Sequence, residues 1–339
     1  MASYKDVVVD IQRLTARLRS DGLWLPLILT TQSDNEYKEY SGIDAVALDF
    51  GTDTTAYGMA AAMFSQDPAP QKVAIVGIMN YGDMTAVTDG LSLVYGAHYF
   101  TFLVSDIVEQ NGREALANWA TAFKVFYTSV ISVAELTTIS NPNSDYVMYC
   151  VHDKKATFEE HMDAAIVGKC IMFAPGSATW NFKNLNGISP QEFIDQATMV
   201  DMINEKGYVT YITTMGRNRT TGGYVTSGEY MDIMLGVLWI RTTMEQRIQS
   251  LLFNTPKIPY TDEGIALIAS RIDSTLRDAT EMDIIRETAG GIGEYTINIP
   301  TVAGIDPNNI ANRKLVDLTW DAYLAGAVHH VNINGVVHY

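Results

Sequence analysis

Cysteine and clustered basic residues are scarce in this chain of 339 residues. Its two cysteines, Cys150 and Cys170, lie among apolar residues and have no CxxC partner, which argues against a disulfide scaffold. Lys and Arg number 23 against 39 Asp and Glu, so the formal net charge is −16. The basic residues are scattered, apart from a small group at Arg217 and Arg219. Because nucleic-acid binders cluster their cations against phosphates, we expect no direct contact with nucleic acid.

Long apolar runs are missing as well. Charged or polar residues interrupt every apolar stretch before the roughly 18 residues that a membrane span needs, so we expect no membrane insertion. The first residues also lack the basic, apolar and small-residue order of a signal peptide. Hydrophobic residues make up 47% and charged residues 18%, which predicts a soluble globular protein made in a reducing cytoplasm.

The sequence also lacks the linear motifs of common catalytic sites. It contains neither a GxxxxGK[ST] phosphate loop nor a GxSxG nucleophile elbow. His152-Asp153 and Glu159-Glu160-His161 do not have the converging spacing of zinc ligands, and His329-His330 would point to opposite faces of a strand. We therefore expect no catalytic residue, no metal site, no cofactor and no enzymatic activity.

Helical and strand patterns alternate from about residue 33 to residue 169. This order predicts an α/β (α+β) fold with a parallel or mixed sheet and helices on its faces. Farther along, a strand is expected over 177–185, and Ser189 with Pro190 and Glu192 resembles the start of a helix running to about 206. A long helix over about 229–253 and another from 262 follow, and then strands over 294–299 and 315–325.

Both ends of the chain carry an alternating segment typical of a strand. Neither segment has an obvious hairpin partner nearby in the sequence. At the N-terminus the two faces would carry Val7, Val9 and Ile11 on one side and Val8 and Asp10 on the other. At the C-terminus they would carry Val331, Ile333 and Val337 on one side and Asn332, Asn334 and Val336 on the other.

Four phrases resemble the contractile tail sheath family of bacteriophages and phage-tail-like bacteriocins. They are ALDF at 47–50 with AAAMFSQDPAP at 60–70, PGSATWNFK at 175–183, SGEYMD at 227–232 followed by Trp239 and KIPYTD at 257–262, and AGAVH at 325–329. They stand in the order expected for the family and span most of the chain. The core motif residues that this resemblance identifies are Trp180, Lys183, Trp239, Lys257, Pro259 and Tyr260.

The resemblance implies a division of the chain into a sheath core and an insert. Residues 1–30 and 175–339 would form the core, and 31–174 an inserted middle α/β domain. The N-terminal arm and the C-terminal arm, about 328–339, would each add a strand to a neighbouring subunit. The subunits would form a helical homopolymer of stacked hexameric rings around an inner tail tube, joined to baseplate and tail terminator proteins. Contraction would drive the tube through a cell envelope. The protein would be part of a virion tail or a phage tail-like particle, assembled in the host bacterial cytoplasm.

Three alternatives remain open at the level of sequence. Both end strands could pair within their own subunit. The middle domain could be an α/β enzyme, a hydrolase or transferase without a recognisable motif. The chain could also be another self-assembling shell or adhesin-like protein.

Overall fold

The computed structural model describes residues 24–79, 82–153 and 160–329, and the chain divides into two compact units. The larger one, which we call the sheet unit, contains the described part of Thr15–Ala174 together with Ala178–Asp232 and His329. The smaller one, the helical unit, contains Pro175–Ser177 and Ile233–Val328.

An eight-stranded sheet forms the centre of the sheet unit. In the order β2-β3-β1-β4-β5-β6-β7-β8, the six inner strands are mutually parallel and the two outermost strands are antiparallel to their neighbours. The strands are β1 (Pro26–Thr30), β2 (Asn35–Tyr40), β3 (Val73–Gly77), β4 (Phe102–Ser105), β5 (Phe126–Ile131), β6 (Val147–Val151), β7 (Val209–Thr214) and β8 (Arg217–Thr220).

Helices cover the sheet, as the alternating sequence pattern predicts. They are α1 (Ile43–Phe50), α2 (Thr55–Phe64), α3 (Met84–Ala97), α4 (Gln110–Phe123), α5 (Met162–Cys170) and α6 (Gln196–Glu205), with a 3-10 turn at Ala134–Thr137. One apolar cluster joins α3, α4 and α6 to strand residues such as Leu27 and Tyr149. Helices α2 and α5 pack against each other and against strands of the sheet. The predicted mixed α/β sheet is therefore confirmed.

Two local features explain the position of α2. Thr54 caps its start by accepting a hydrogen bond from the Tyr57 amide at 3.3 Å. In α5, a Cβ at Gly168 would lie 2.7 Å from the Cα of Met63, so only glycine permits this approach of the two helices.

The helical unit is built on α7 (Met231–Asn254) and α8 (Asp262–Glu281), close to the two helices that the periodicity predicts. Thr261 caps α8 by accepting a hydrogen bond from the Gly264 amide at 3.3 Å. The unit also contains β9 (Tyr295–Asn298), a 3-10 turn at Val302–Gly304, the short helix α9 (Pro307–Ala311) and β10 (Thr319–Ala322).

Two expectations about local structure are wrong. The helix expected from Ser189 begins only at Gln196, with Asp195 as its cap. The reason is a competing partner: the amide and hydroxyl of Ser189 donate to the Glu160 carboxylate at 2.6 and 2.7 Å. No strand forms over 177–185 either, where side-chain packing and hydrogen bonds to β8 hold an irregular segment.

The two compact units group distant parts of the chain, and the expected division into a sheath core and an insert stays a prediction. Strand β1 lies inside the eight-stranded sheet, hydrogen-bonded to β3 on one side and β4 on the other. Residues Ala178–Asp232 also belong to the sheet unit, because β7 pairs with β6 and extends the same sheet. Long-range strand pairing sets this grouping, and local sequence does not reveal it.

Candidate assembly site

The candidate site is the two-stranded sheet of the helical unit. Strands β9 and β10 pair with each other in antiparallel register, and no third strand joins them among residues 24–79, 82–153 and 160–329. Ile297 lies opposite Trp320 and Tyr295 opposite Ala322, and these four side chains are partly buried. The intervening positions are exposed and carry Thr296, Asn298, Thr319 and Asp321. The small sheet thus has one apolar and one polar face.

The apolar face is held by the two long helices behind it. It packs on an apolar cluster whose buried members include Ile240, Met244, Ile272 and Leu276. Tyr295 also donates a hydrogen bond from its hydroxyl to Asp273 Oδ1 at 2.9 Å. Burial and this hydrogen bond raise the pKa of Tyr295, so the phenol stays a donor at neutral pH. The sheet is therefore fixed against a rigid helical pair.

The two outer edges of the β9–β10 pair have the backbone geometry that a further strand needs for pairing. A sheet of two strands leaves N–H and C=O groups directed outward along both edges, and such edges readily accept strands from other chains. At one end the ladder is closed by Arg286, whose amide donates to the Tyr323 carbonyl at 2.8 Å and whose carbonyl accepts from the Glu294 amide at 2.8 Å. The Arg286 guanidinium also binds the Glu294 carboxylate and lies 5.1 Å from the Tyr323 ring centre.

Trp180, the first of the core motif residues, lies in the sheet unit. Its ring is 1% exposed and stacks on Phe102 with 5.7 Å between centroids. Its carbonyl accepts a hydrogen bond from the Thr220 hydroxyl at 2.7 Å. The Lys183 amide donates a hydrogen bond to the Thr220 hydroxyl and the Lys183 carbonyl accepts one from the Thr220 amide, both at 2.9 Å. The Lys183 ammonium lies 5.0 Å from the centre of the Phe173 ring. Both residues thus join the irregular segment to β8 and to the sheet.

His329, the last described residue, is also bound to this irregular segment. Its Nε2 lies 2.8 Å from the Thr179 hydroxyl, and its ring meets Phe182 and Tyr230 edge to face at 5.8 and 4.8 Å. The Arg219 guanidinium also lies 5.1 Å from the centre of the Phe182 ring. His329, which lies within the predicted C-terminal arm of about 328–339, is therefore held by polar and aromatic contacts of the sheet unit.

The other motif residues lie in the helical unit. Trp239 packs partly buried against the apolar cluster of α7 and α8. Tyr260 donates a hydrogen bond from its hydroxyl to the Lys314 carbonyl at 3.0 Å, and Lys257 and Pro259 are exposed. A side chain at Gly264 would overlap the Pro259 carbonyl, so this glycine permits the tight entry into α8. The contacts make Trp239 and Tyr260 structural supports of the unit.

The arm residues that are predicted to pair with a neighbouring subunit lie outside the described part of the chain. This applies to Val7, Val8, Val9, Asp10 and Ile11, and to Val331, Asn332, Ile333, Asn334, Val336 and Val337. Their exchange between subunits therefore stays a prediction.

In doubly wound sheets, ligands bind at the carboxyl ends of the strands where the chain order reverses, here between β1 and β4. At that point the Asp106 carboxylate accepts hydrogen bonds from the Thr30 hydroxyl at 2.7 Å and from the Thr31 amide and hydroxyl at 3.0 and 2.8 Å. The hydroxyl and amide groups of Thr30 and Thr31, which would face a ligand in an α/β enzyme, are thus hydrogen-bonded to the chain's own Asp106 carboxylate.

Within the described residues there is no cluster of His, Cys, Asp and Glu that could hold a metal ion. None of the described helices is long and apolar enough to cross a membrane.

Sequence reasoning missed two parts of this arrangement. The strands β9 and β10 were expected, but their pairing and their common apolar face were not. The ion pair between Arg113 and Glu135 was not predicted either. Arg113 is 1% exposed, and nothing in the sequence indicates that this arginine is buried. Glu135 lies in the 3-10 turn Ala134–Thr137 shortly after the end of β5, and the placement of charged residues after strand ends is the pattern that could have indicated it.

Comparison with known proteins identifies the fold. No protein-family model matches the chain, and no curated protein matches it. Among solved structures, a chain of the anti-feeding prophage helical sheath in the contracted state has a TM-score of 0.69 at 11% identity, covering 97% of this chain and 99% of that one. A chain of the contracted PVC sheath complex, from an extracellular contractile injection system, has a TM-score of 0.67 at 9% identity over 99% and 98% of the two chains. The sheath tail protein of Desulfitobacterium hafniense has a TM-score of 0.59 at 8% identity over 86% and 93%. The chain therefore has the fold of contractile sheath proteins.

Proposed function

We propose that this chain is the structural subunit of a contractile tail sheath, and not an enzyme. The observation that carries the proposal is the end-to-end match to chains of contracted sheaths, which leaves almost no part of either chain without a counterpart. A further chain of similar fold, with a TM-score of 0.70 at 12% identity, comes from the anti-feeding prophage baseplate. The subunit would form stacked hexameric rings around an inner tube and meet baseplate and terminator proteins at the ends. It would be part of a virion tail or a tail-like particle assembled in a bacterial cytoplasm.

The β9–β10 sheet supports the exchange of terminal arms between subunits. A third strand on either edge would place alternate side chains on the apolar helix-facing side and in water. The two end segments have this alternation, with Val and Ile on one face and mostly polar residues on the other. About four hydrogen bonds per arm, each with a net value of about 1 kcal/mol, would give roughly 4 kcal/mol before the cost of ordering the arm. Repeated over a lattice, such links keep subunits connected while their folded units move.

No nucleotide hydrolysis is needed in this mechanism. The extended sheath would store free energy at assembly, and a change between two packed arrangements of the subunits would release it. During contraction the folded units would move relative to those of neighbouring subunits, and the exchanged arms would keep the subunits connected.

Electron microscopy of the purified full-length chain tests the proposal. We expect hollow helical tubes in the contracted state, since the chain matches chains of contracted sheaths over nearly its whole length. A defined small oligomer would favour an enzyme instead, and monomers that persist at high concentration would contradict the sheath role.

A further inference from the structure

The two outer edges of the eight-stranded sheet carry opposite charge. Residues 34–53, which contain β2 and α1, include one basic residue, Lys38, and six acidic ones: Asp34, Glu36, Glu39, Asp44, Asp49 and Asp53. At the opposite edge, residues 207–228 contain β8 and have two basic residues, Arg217 and Arg219, and no acidic residue. For a chain with a net charge of −16, this basic edge is an exception.

Part of the acidic charge is neutralised locally. Lys38 pairs with Asp49, and Lys72 pairs with Glu39 at 2.9 Å. Glu36 and Asp44 are exposed and form no ion pair with any described residue. At the basic edge, Arg217 is likewise exposed and forms no ion pair within the described part of the chain.

The two edges cannot neutralise each other within one molecule. Strands β2 and β8 are the first and the eighth of the sheet, so seven inter-strand spacings of about 4.8 Å, roughly 34 Å, separate them. This distance is several times the Debye length of about 8 Å at physiological salt. Each of these two edges can therefore meet the complementary charge of the other edge only on a second copy of the chain.

Each edge also exposes large apolar side chains beside its charges. Leu48 on α1 is 87% exposed at the acidic edge. At the basic edge, Met215 in the turn between β7 and β8 is 99% exposed, and Ile194 is fully exposed. Ile194 belongs to the same region, because Gln196 donates a hydrogen bond to the Thr213 carbonyl of β7 at 3.0 Å. Exposed apolar residues flanked by charge are typical of contact surfaces between proteins.

The contact must use side chains, because the backbone of both edges is protected against strand addition. On the outer side of β8, the Thr220 carbonyl accepts a hydrogen bond from the Phe182 amide at 3.1 Å, and the Thr220 amide donates one to the Lys183 carbonyl at 2.9 Å. At the other edge, the register of β2 shifts between Asn35 and Lys38. Irregular or covered edges of this kind prevent pairing with a further strand.

We propose that the β8 edge of one copy docks on the β2–α1 edge of a second copy, in a head-to-tail contact. Arg217 meets Glu36 and Asp44, and Met215 and Ile194 pack near Leu48. A contact between two different surfaces of identical subunits closes into rings or continues as a helix. The inference rests on the proposed sheath role for the setting in which the copies meet, and it is independent of the exchange of terminal arms.

Charge reversal with rescue tests the contact in the full-length chain. Arg217→Glu and Glu36→Arg should each raise the protein concentration needed for polymers about tenfold, since like charges then face each other. The double variant R217E/E36R should restore assembly, because the reversed pair is again complementary. Asp89→Arg, at an exposed position on α3 outside both charged segments (residues 34–53 and 207–228), is the matched control and should assemble like the parent.

Cross-linking supplies a second measurement with the same chain. Both native cysteines are buried, so introduced thiols dominate the reaction. Oxidised E36C/R217C polymers should give a covalent ladder beyond the dimer, whereas D89C/R217C polymers should give none. If all variants assemble like the parent and no ladder forms, the docking contact is wrong and the sheath role stands. If the parent chain forms no polymer at all, the sheath role itself fails.

Discussion

Trp320 lies directly opposite Ile297 in the antiparallel pair of β9 and β10, and both side chains face the helices α7 and α8. The next pair on each side is exposed and polar, so the sheet alternates strictly between an apolar and a polar face. Any strand added to an edge continues this alternation, because side chains along a strand point alternately to opposite faces. The proposed arms can therefore be tested one side chain at a time.

Lysine substitutions at neighbouring arm positions should have opposite outcomes. Val9→Lys would place an ammonium group on the apolar face of the acceptor sheet, which costs several kcal/mol per link, and we expect no tubes. Val8→Lys, one residue away, would point to water and should assemble almost like the parent. Electron microscopy and sedimentation of the two variants measure the difference. Equal behaviour would show that the arm does not add to a two-faced sheet.

Removal of either arm should abolish polymers and leave a folded subunit. We expect this for a chain without residues 1–12 and for one that ends at Val328, since all the described helices and strands lie between Pro26 and Ala322. Size-exclusion chromatography should give a monomer, and the circular dichroism spectrum should stay close to that of the parent. A truncated chain that still polymerises normally would rule out arm exchange.

Gly168→Ala should destabilise the sheet unit by about 1–3 kcal/mol, because the added methyl group meets the backbone of Met63 in α2. Gly96→Ala in α3 is the matched control. A Cβ there has no atom within 4 Å, so the substitution should stabilise by about 0.5–1 kcal/mol through helix propensity. Chemical unfolding of both variants measures the two effects, and a neutral Gly168→Ala would mean that α2 and α5 are less closely packed.

The stability of the sheet unit should depend on pH through Glu135. Burial alone would raise the pKa of this carboxyl, but hydrogen bonds from Ser132 and the charge of Arg113 together lower it below its ordinary value of about 4.3. A lowered pKa in the folded state stabilises the fold above the ordinary value, and this contribution is lost as the pH falls through the folded pKa. We expect the free energy of unfolding to fall less steeply below about pH 4.3 in Glu135→Gln than in the parent. Identical slopes would contradict this role of the ion pair.

Trp180→Ala should cost about 3–5 kcal/mol of stability, since the fully buried ring leaves a large cavity beside Phe102. Trp180→Phe keeps an aromatic ring on Phe102 and should cost clearly less. Thermal unfolding compares the two. A small effect of Trp180→Ala would contradict the packing role of this ring.

The sequence by itself determined the kinds of elements and most of their positions. Alternating apolar strands and capped amphipathic helices indicated the mixed α/β fold, and the periodicity located α7 and α8, because these signals depend on residues close together in the chain. The resemblance of a few phrases also indicated the sheath fold, which the solved structures confirm.

Only the tertiary structure decided which distant segments meet. Ser189 has a good capping sequence, yet Glu160 binds it and the helix begins later. Strand β1 belongs to the middle of the large sheet, and Arg217 lies on the edge opposite Glu36. The physical reason is that strand pairing and ion pairing join residues far apart in sequence, and their partners are set by the packing of the whole unit.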